Sequence, residues 1–215
     1  MRPAPVVERF RDVAEGLLAR WDDAVADETF AMNLDHDEPR DARRAAVEKV
    51  GADLGPFRRD DDRAAMSVSA AHLRWWLRGE HGWVELEILV TPEAEPRLQT
   101  FRVTMVGDPS PALVAAAERL LAAAAEPAPA WTSDLARRDA LDLEAVERAL
   151  RAGSARFGPM RLGLPAAGDG RATTTWDLVT DRGRATLKVA LDPDSGAVTE
   201  AALQAARRMP PGDAW

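Results

Sequence analysis

The 215-residue sequence has no cysteine, no tyrosine, three histidines and only two lysines beside 26 arginines. Without cysteine it has no disulfide framework, thiolate nucleophile or zinc-thiolate site. An excess of basic charge is also missing. The 36 acidic residues outnumber the 28 basic ones for a net charge of -8, so counterion release cannot drive tight nucleic-acid binding, and neither nucleic acid nor an anionic membrane is an expected partner. Long hydrophobic runs are absent too. The most apolar stretch, residues 111–125, is broken by Glu118 and Arg119 and is too short to cross a bilayer. The N-terminal segment carries Glu8, Arg9, Arg11 and Asp12, which excludes a secretory h-region there. A cytoplasmic location is the expectation.

What is present is ordinary globular composition, 46% hydrophobic and 30% charged, and a pattern that occurs twice. Gly55-Pro56-Phe57-Arg58, Trp75-Trp76, Gly82, Leu86, Ile88, Val90 and Thr91-Pro92-Glu93 are followed by Gly158-Pro159-Met160-Arg161, Trp176, Gly183, Leu187, Val189, Leu191 and Asp192-Pro193-Asp194. From Trp75/Trp176 to Pro92/Pro193 the offset stays at 101, and upstream it drifts by two. A shared Trp, Gly and Pro grammar at constant offset points to a duplication.

The spacing of Val6, Phe10, Val13, Leu17 and Trp21 predicts one long amphipathic helix over residues 6–25. A short helical turn is expected at residues 29–34 and a further helix at 40–53. The period then changes to two. Leu73, Trp75 and Leu77 face Val84, Leu86, Ile88 and Val90 across a turn at residues 79–82, and a third strand covers residues 97–106. The second copy is expected to repeat this with a helix at 143–152 and strands at 172–179, 183–191 and 196–203. The expected fold class is therefore α+β, a tandem duplication of a helix-then-three-antiparallel-strand unit. The expected divisions are a first unit over 1–126 that includes the Ala-rich helix, a linker over 127–142 with Pro127-Ala128-Pro129-Ala130, a second, shorter unit over 143–208, and a tail over 209–215.

This unit resembles the half-size α+β (cystatin-like) cone domains of the nuclear transport factor two-like and polyketide-cyclase-like superfamily, in particular those of unknown function that accompany bacterial serine hydrolases of the β-lactamase class. Phe30, Leu54-Gly55-Pro56 and residues 83–92 carry the resemblance in the first copy, and Phe157-Gly158-Pro159-Met160-Arg161 with residues 187–196 in the second. The resemblance implies a curved sheet packed on helices that offers a pocket or a dimer face. It implies no single chemistry.

A serine hydrolase would need Ser-x-x-Lys with a catalytic Tyr, or Gly-x-Ser-x-Gly, and none of these occurs. Residues 163–170 lack the Gly-Lys-[Ser/Thr] of a phosphate loop. The acidic run at residues 33–38 puts Glu38 and Arg44 where an EF-hand needs Gly and Glu. No metal and no cofactor are expected.

The one concentrated set of functional side chains lies on the second face of the first hairpin. The expected pairing sets Arg78 opposite Trp83, Trp76 opposite Glu85 and Arg74 opposite Glu87, with His72 one step further along. His72 with Glu85 or Glu87 and Arg74 could act as a general base in a small cone-fold isomerase, cyclase or hydrolase. The competing reading is a cross-strand ion pair between Arg74 and Glu87 beside an Arg78–Trp83 stack. Arg74, Trp76, Arg78 and Trp83 then form a ligand or partner face, because two large aromatics on a partly polar surface call for a cover. The expected function is a non-catalytic binding or dimerisation module whose occupant is a protein partner or a second copy, with a small apolar ligand as the alternative. It would serve as an accessory or regulator of a hydrolase.

Overall fold

A computed structural model describes residues 2–125 and 141–205. The chain divides into two α+β units, one reaching Met105 and the other starting at Val106. The expected linker at 127–142 lies almost wholly outside the described residues, and the tail at 209–215 lies entirely outside them.

In the first unit, α1 (Pro5–Ala19) starts on a proline whose missing N–H costs nothing there. It buries Val7, Phe10, Ala14, Leu17 and Leu18. The single helix expected over 6–25 is in fact two. Arg20 turns extended, and Asp22 caps α2 (Asp23–Thr29) by accepting from the Ala24 and Val25 amides at 2.9 and 3.4 Å. Next come α3 (Met32–Asp37) and α4 (Arg40–Leu54). Four antiparallel strands follow in meander order: β1 (Arg58–Arg59), β2 (His72–Arg78), β3 (Gly82–Val90) and β4 (Leu98–Gly107). Leu73, Trp75 and Leu77 on β2 and Val84, Leu86, Ile88 and Val90 on β3 are buried against the helices.

The second unit consists of α5 (Pro111–Ala125), α6 (Leu143–Phe157), β5 (Met160–Ala167), β6 (Thr173–Thr180), β7 (Ala185–Leu191) and β8 (Val198–Ala205), again an antiparallel four-stranded meander. Two expectations are corrected. Each sheet has four strands rather than three, because the chain pairs with its hairpin as soon as it leaves Gly55-Pro56 or Gly158-Pro159. The Ala-rich helix also belongs to the second unit and not the first. Its Leu113, Ala116, Ala117, Leu120 and Leu121 share a core with Val146, Leu150, Trp176 and Leu187. The repeated unit is thus two helices and four strands, with α5 the counterpart of α1 and α6 of α4.

The likeness of the two units extends to single hydrogen bonds. Both α4 and α6 end on a glycine in the left-handed region, Gly55 (φ 73°) and Gly158 (φ 82°). An amide from the hairpin turn then reaches back to the last helical carbonyl, Glu80 N–H to Leu54 O at 2.7 Å and Arg182 N–H to Phe157 O at 3.0 Å. Trp75 pairs with Leu86 and Trp176 with Leu187. Each tryptophan is buried at the same depth in its own core. No helix among the described residues is long and apolar enough to span a membrane.

Candidate functional site

Strand alternation places the candidate residues. With the core face of the first hairpin filled by Leu73, Trp75, Leu77, Val84, Leu86 and Ile88, the residues between them must point outward. The register sets Arg78 opposite Trp83, Trp76 opposite Glu85, Arg74 opposite Glu87 and His72 opposite Leu89.

This face is not open. After β1 the chain loops out and rejoins the edge of β2, Met66 exchanging both backbone hydrogen bonds with Arg74 at 2.8 Å, and the loop between β1 and Met66 lays a side chain on the face. That side chain is Arg63, which is only 9% exposed. Its guanidinium carbon lies 4.2 Å from the Trp76 ring centre and 4.4 Å from that of Trp83. Arg78 lies 4.1 Å from the Trp83 ring centre on the same face. Trp83 donates its indole N–H to Asp60 at 2.8 Å, and Asp60 also faces Arg63 at 3.7 Å. The two aromatics are therefore covered by an arginine of their own unit, desolvated enough for its cation–π contacts to count, and Trp83 is held besides by the Asp60 carboxylate. Asp60 and Arg63 belong to the site although their sequence, an Asp-Asp-Asp run between arginines, reads as a solvated loop. Only Trp76 and Trp83, two large aromatics on a partly polar face, hinted that a cover was needed.

At the other end His72 is enclosed, also 9% exposed. The Val68 amide donates to its Nδ1 at 3.4 Å, which leaves the proton of the neutral ring on Nε2, directed at Glu87 Oε1 at 3.0 Å. Glu87 Oε2 accepts from Arg102 of β4 at 2.9 Å. Both ring nitrogens and both carboxylate oxygens thus have partners. Burial pushes the Glu87 carboxyl up, but the hydrogen bond from His72 and the charge of Arg102 outweigh it, and its pKa lies below the usual value. Glu85 goes the other way. Burial dominates, and Arg74 at 3.3 Å only partly offsets it, so its pKa is raised. Arg74 is therefore paired with Glu85, diagonally, and not with Glu87 as the cross-strand reading had it.

The acidic run of α3 is occupied by arginines. Asp35 binds Arg40 and Arg43, and Arg43, almost fully buried, also donates to the Leu34 and Glu38 carbonyls at 2.7 and 3.1 Å. Its guanidinium ties α3 to α4. In the second unit the corresponding hairpin positions are Thr175, Asp177, Thr186 and Lys188, and Lys188 pairs with Glu200 at 2.7 Å. The open surface of the first unit lies elsewhere. A cleft of about 360 Å³ runs between α3, α4 and β4, a second of about 470 Å³ adjoins it, and one of about 640 Å³ lies between α1, α4 and Phe57.

Comparison with protein-family models, with curated proteins and with solved structures finds no match for this chain.

Proposed function

We propose that the chain is a non-catalytic binding module built from two copies of one α+β unit. The finer likeness to nuclear transport factor two-like cone domains, and a role beside a hydrolase, are part of this proposal. The observation that carries it is the partnering of the His72–Glu87 pair, the one histidine-carboxylate couple of the candidate set. His72 has both nitrogens engaged, Glu87 both oxygens, and Arg63 lies over the tryptophans. A general base needs a free nitrogen within reach of a substrate proton, and the arrangement here offers a rigid, satisfied layer instead.

The test combines sedimentation velocity of the full chain over a range of concentrations with a melting screen. The screen uses extended peptides of basic, acidic and neutral composition and small apolar ligands. Self-association or a saturable shift in Tm is expected; a strict monomer that no ligand shifts would overturn the reading. The enzyme alternative, with His72, Glu85 or Glu87 and Arg74 as its machinery, predicts that any turnover found disappears in His72→Ala. The module reading predicts that the same variant costs only stability, about 1–2 kcal/mol for the orphaned partners.

A further inference from the structure

The two edges of the first sheet are unequal. β1 contributes two residues, whereas β4 runs for ten. Phe30 and Ala31 cover only the start of β4, Ala31 donating its N–H to Leu98 O at 2.9 Å. Over residues 99–105 no strand lies on the outer side of β4 among the described residues, and only at its far end does an isolated bridge follow, from Val106 to Gly168. Folded proteins normally shorten, charge or cover such an edge.

Here the edge faces a cleft. The 360 Å³ cavity is lined by five consecutive residues of β4, Gln99 to Val103. Side chains of an extended strand alternate between faces, so five in succession can border one cavity only if it runs along the strand's edge, where the main-chain groups are. Leu34, Val47, Phe101 and Val103 supply apolar surface on one side. The adjoining cleft of 470 Å³ shares Gln99 and has Met32, 82% exposed, at its lip.

Charge selects the occupant. Asp37 borders the first cleft and Glu93 the second, both are exposed, and neither holds an ion pair among the described residues. Two of the nearby arginines are paired with carboxylates, Arg43 with Asp35 and Glu38 and Arg102 with Glu87, while Arg97 is held away by the Asp27 and Phe30 carbonyls and keeps its charge at the second cleft, so Asp37 at the first cleft is the stronger anchor for a cationic side chain. Residues 1–105 hold 21 acidic and 15 basic groups, a net of -6.

We propose that the free edge of β4 and the clefts along it take up an extended peptide segment of a partner protein as a fifth strand, with apolar residues facing α4 and lysine or arginine residues meeting Asp37 and Glu93. This rests on the binding-module reading and names its partner. Main-chain hydrogen bonds would supply affinity and the alternate side chains specificity.

The test measures fluorescence anisotropy of a capped, labelled eight-residue peptide of alternating lysine and valine with the full chain. Glutamate-valine and serine-valine peptides of the same length serve as comparisons. The lysine-valine peptide is expected to bind at least about tenfold more tightly than either, with affinity falling as salt rises. Methylating alternate backbone nitrogens along one edge of that peptide should abolish binding, and methylating the other set should not. Ala46→Trp, at an exposed position of α4 that borders the cleft, should block binding without touching the core. The double variant Asp37→Lys, Glu93→Lys should reduce affinity by about tenfold at low salt, which keeps the test intact if the tryptophan variant folds poorly. Equal affinity for the three peptides, indifference to methylation, or binding unaffected by both variants would overturn the proposal. Absence of any peptide binding beside concentration-dependent self-association would overturn this groove while leaving the module reading standing.

Discussion

Glu85 and Glu87 are two residues apart on one face of β3, yet their surroundings push the carboxyl groups in opposite directions. For Glu87 the folded pKa lies below the unfolded one, so its stabilisation is present above the usual carboxylate range and is lost as pH falls through the depressed value. For Glu85 the folded pKa is raised, so its favourable contribution belongs to acid and turns into a cost as pH rises through that value. Glu87→Gln should therefore lower stability at pH 7 by about 1 kcal/mol, and Glu85→Gln should raise it by up to about as much, since Arg74 is exposed enough to be hydrated alone. Melting curves recorded from pH 7 down to pH 3 should show both differences shrinking as the wild-type carboxyls take up protons. A Glu85→Gln variant less stable than wild type at pH 7 would show that its pairing with Arg74 outweighs its desolvation.

Helix ends show how far local chemistry carries the fold. Gly51 and Gly55 are four residues apart at the end of α4, with opposite demands on a side chain. A Cβ at Gly51 meets nothing within 4 Å, whereas at Gly55 it would sit at φ +73° and 3.1 Å from a Glu80 carboxylate oxygen. Gly51→Ala should stabilise by about 0.5–1 kcal/mol and Gly55→Ala should destabilise by at least about 1 kcal/mol, read by chemical denaturation. Gly158→Ala should behave like Gly55→Ala, because its Cβ would lie 3.0 Å from Asp181. Gly55 and Gly158, the hairpin register and the buried Trp75 and Trp176 were all legible in the sequence, since each is written in a local period or a turn signal. β1 and β5 were not. Two residues show no alternation, and β5 contains Gly163 and Pro165 with a register shift on either side of the proline, a strand interior that propensity argues against. The break at residues 20–22 was hidden as well, since Trp21 and Val25 continue the apolar stripe and only the Asp22 cap divides it.

At the scale of the whole chain, the two units are alike in what packs and differ in what faces outward. Core positions of the second strand of each hairpin correspond, Leu86 to Leu187, Ile88 to Val189 and Val90 to Leu191, all buried, whereas Leu73 on the first strand is matched by a buried threonine, Thr174. The outer face carries histidine, arginine and tryptophan in one copy and threonine, aspartate and lysine in the other. The sequence pattern found this outer face, but it could not show that Asp60 and Arg63 return to cover it. Such a cover depends on a loop path that no periodicity encodes. The same limit misassigned the Ala-rich helix, whose apolar stripe fits any core. Most of the acid lies before residue 106, the same part of the chain that carries the open β4 edge, and that coincidence underlies the placement of binding there. The most direct test is amide hydrogen exchange of the full chain with and without the lysine-valine peptide. Slowed exchange confined to residues 98–105 and the facing part of α4, with residues 60–78 and 83–87 unchanged, is the predicted result. Slowed exchange over His72, Trp76 and Trp83 with β4 unchanged would show that the covered face opens to bind, and would contradict the account.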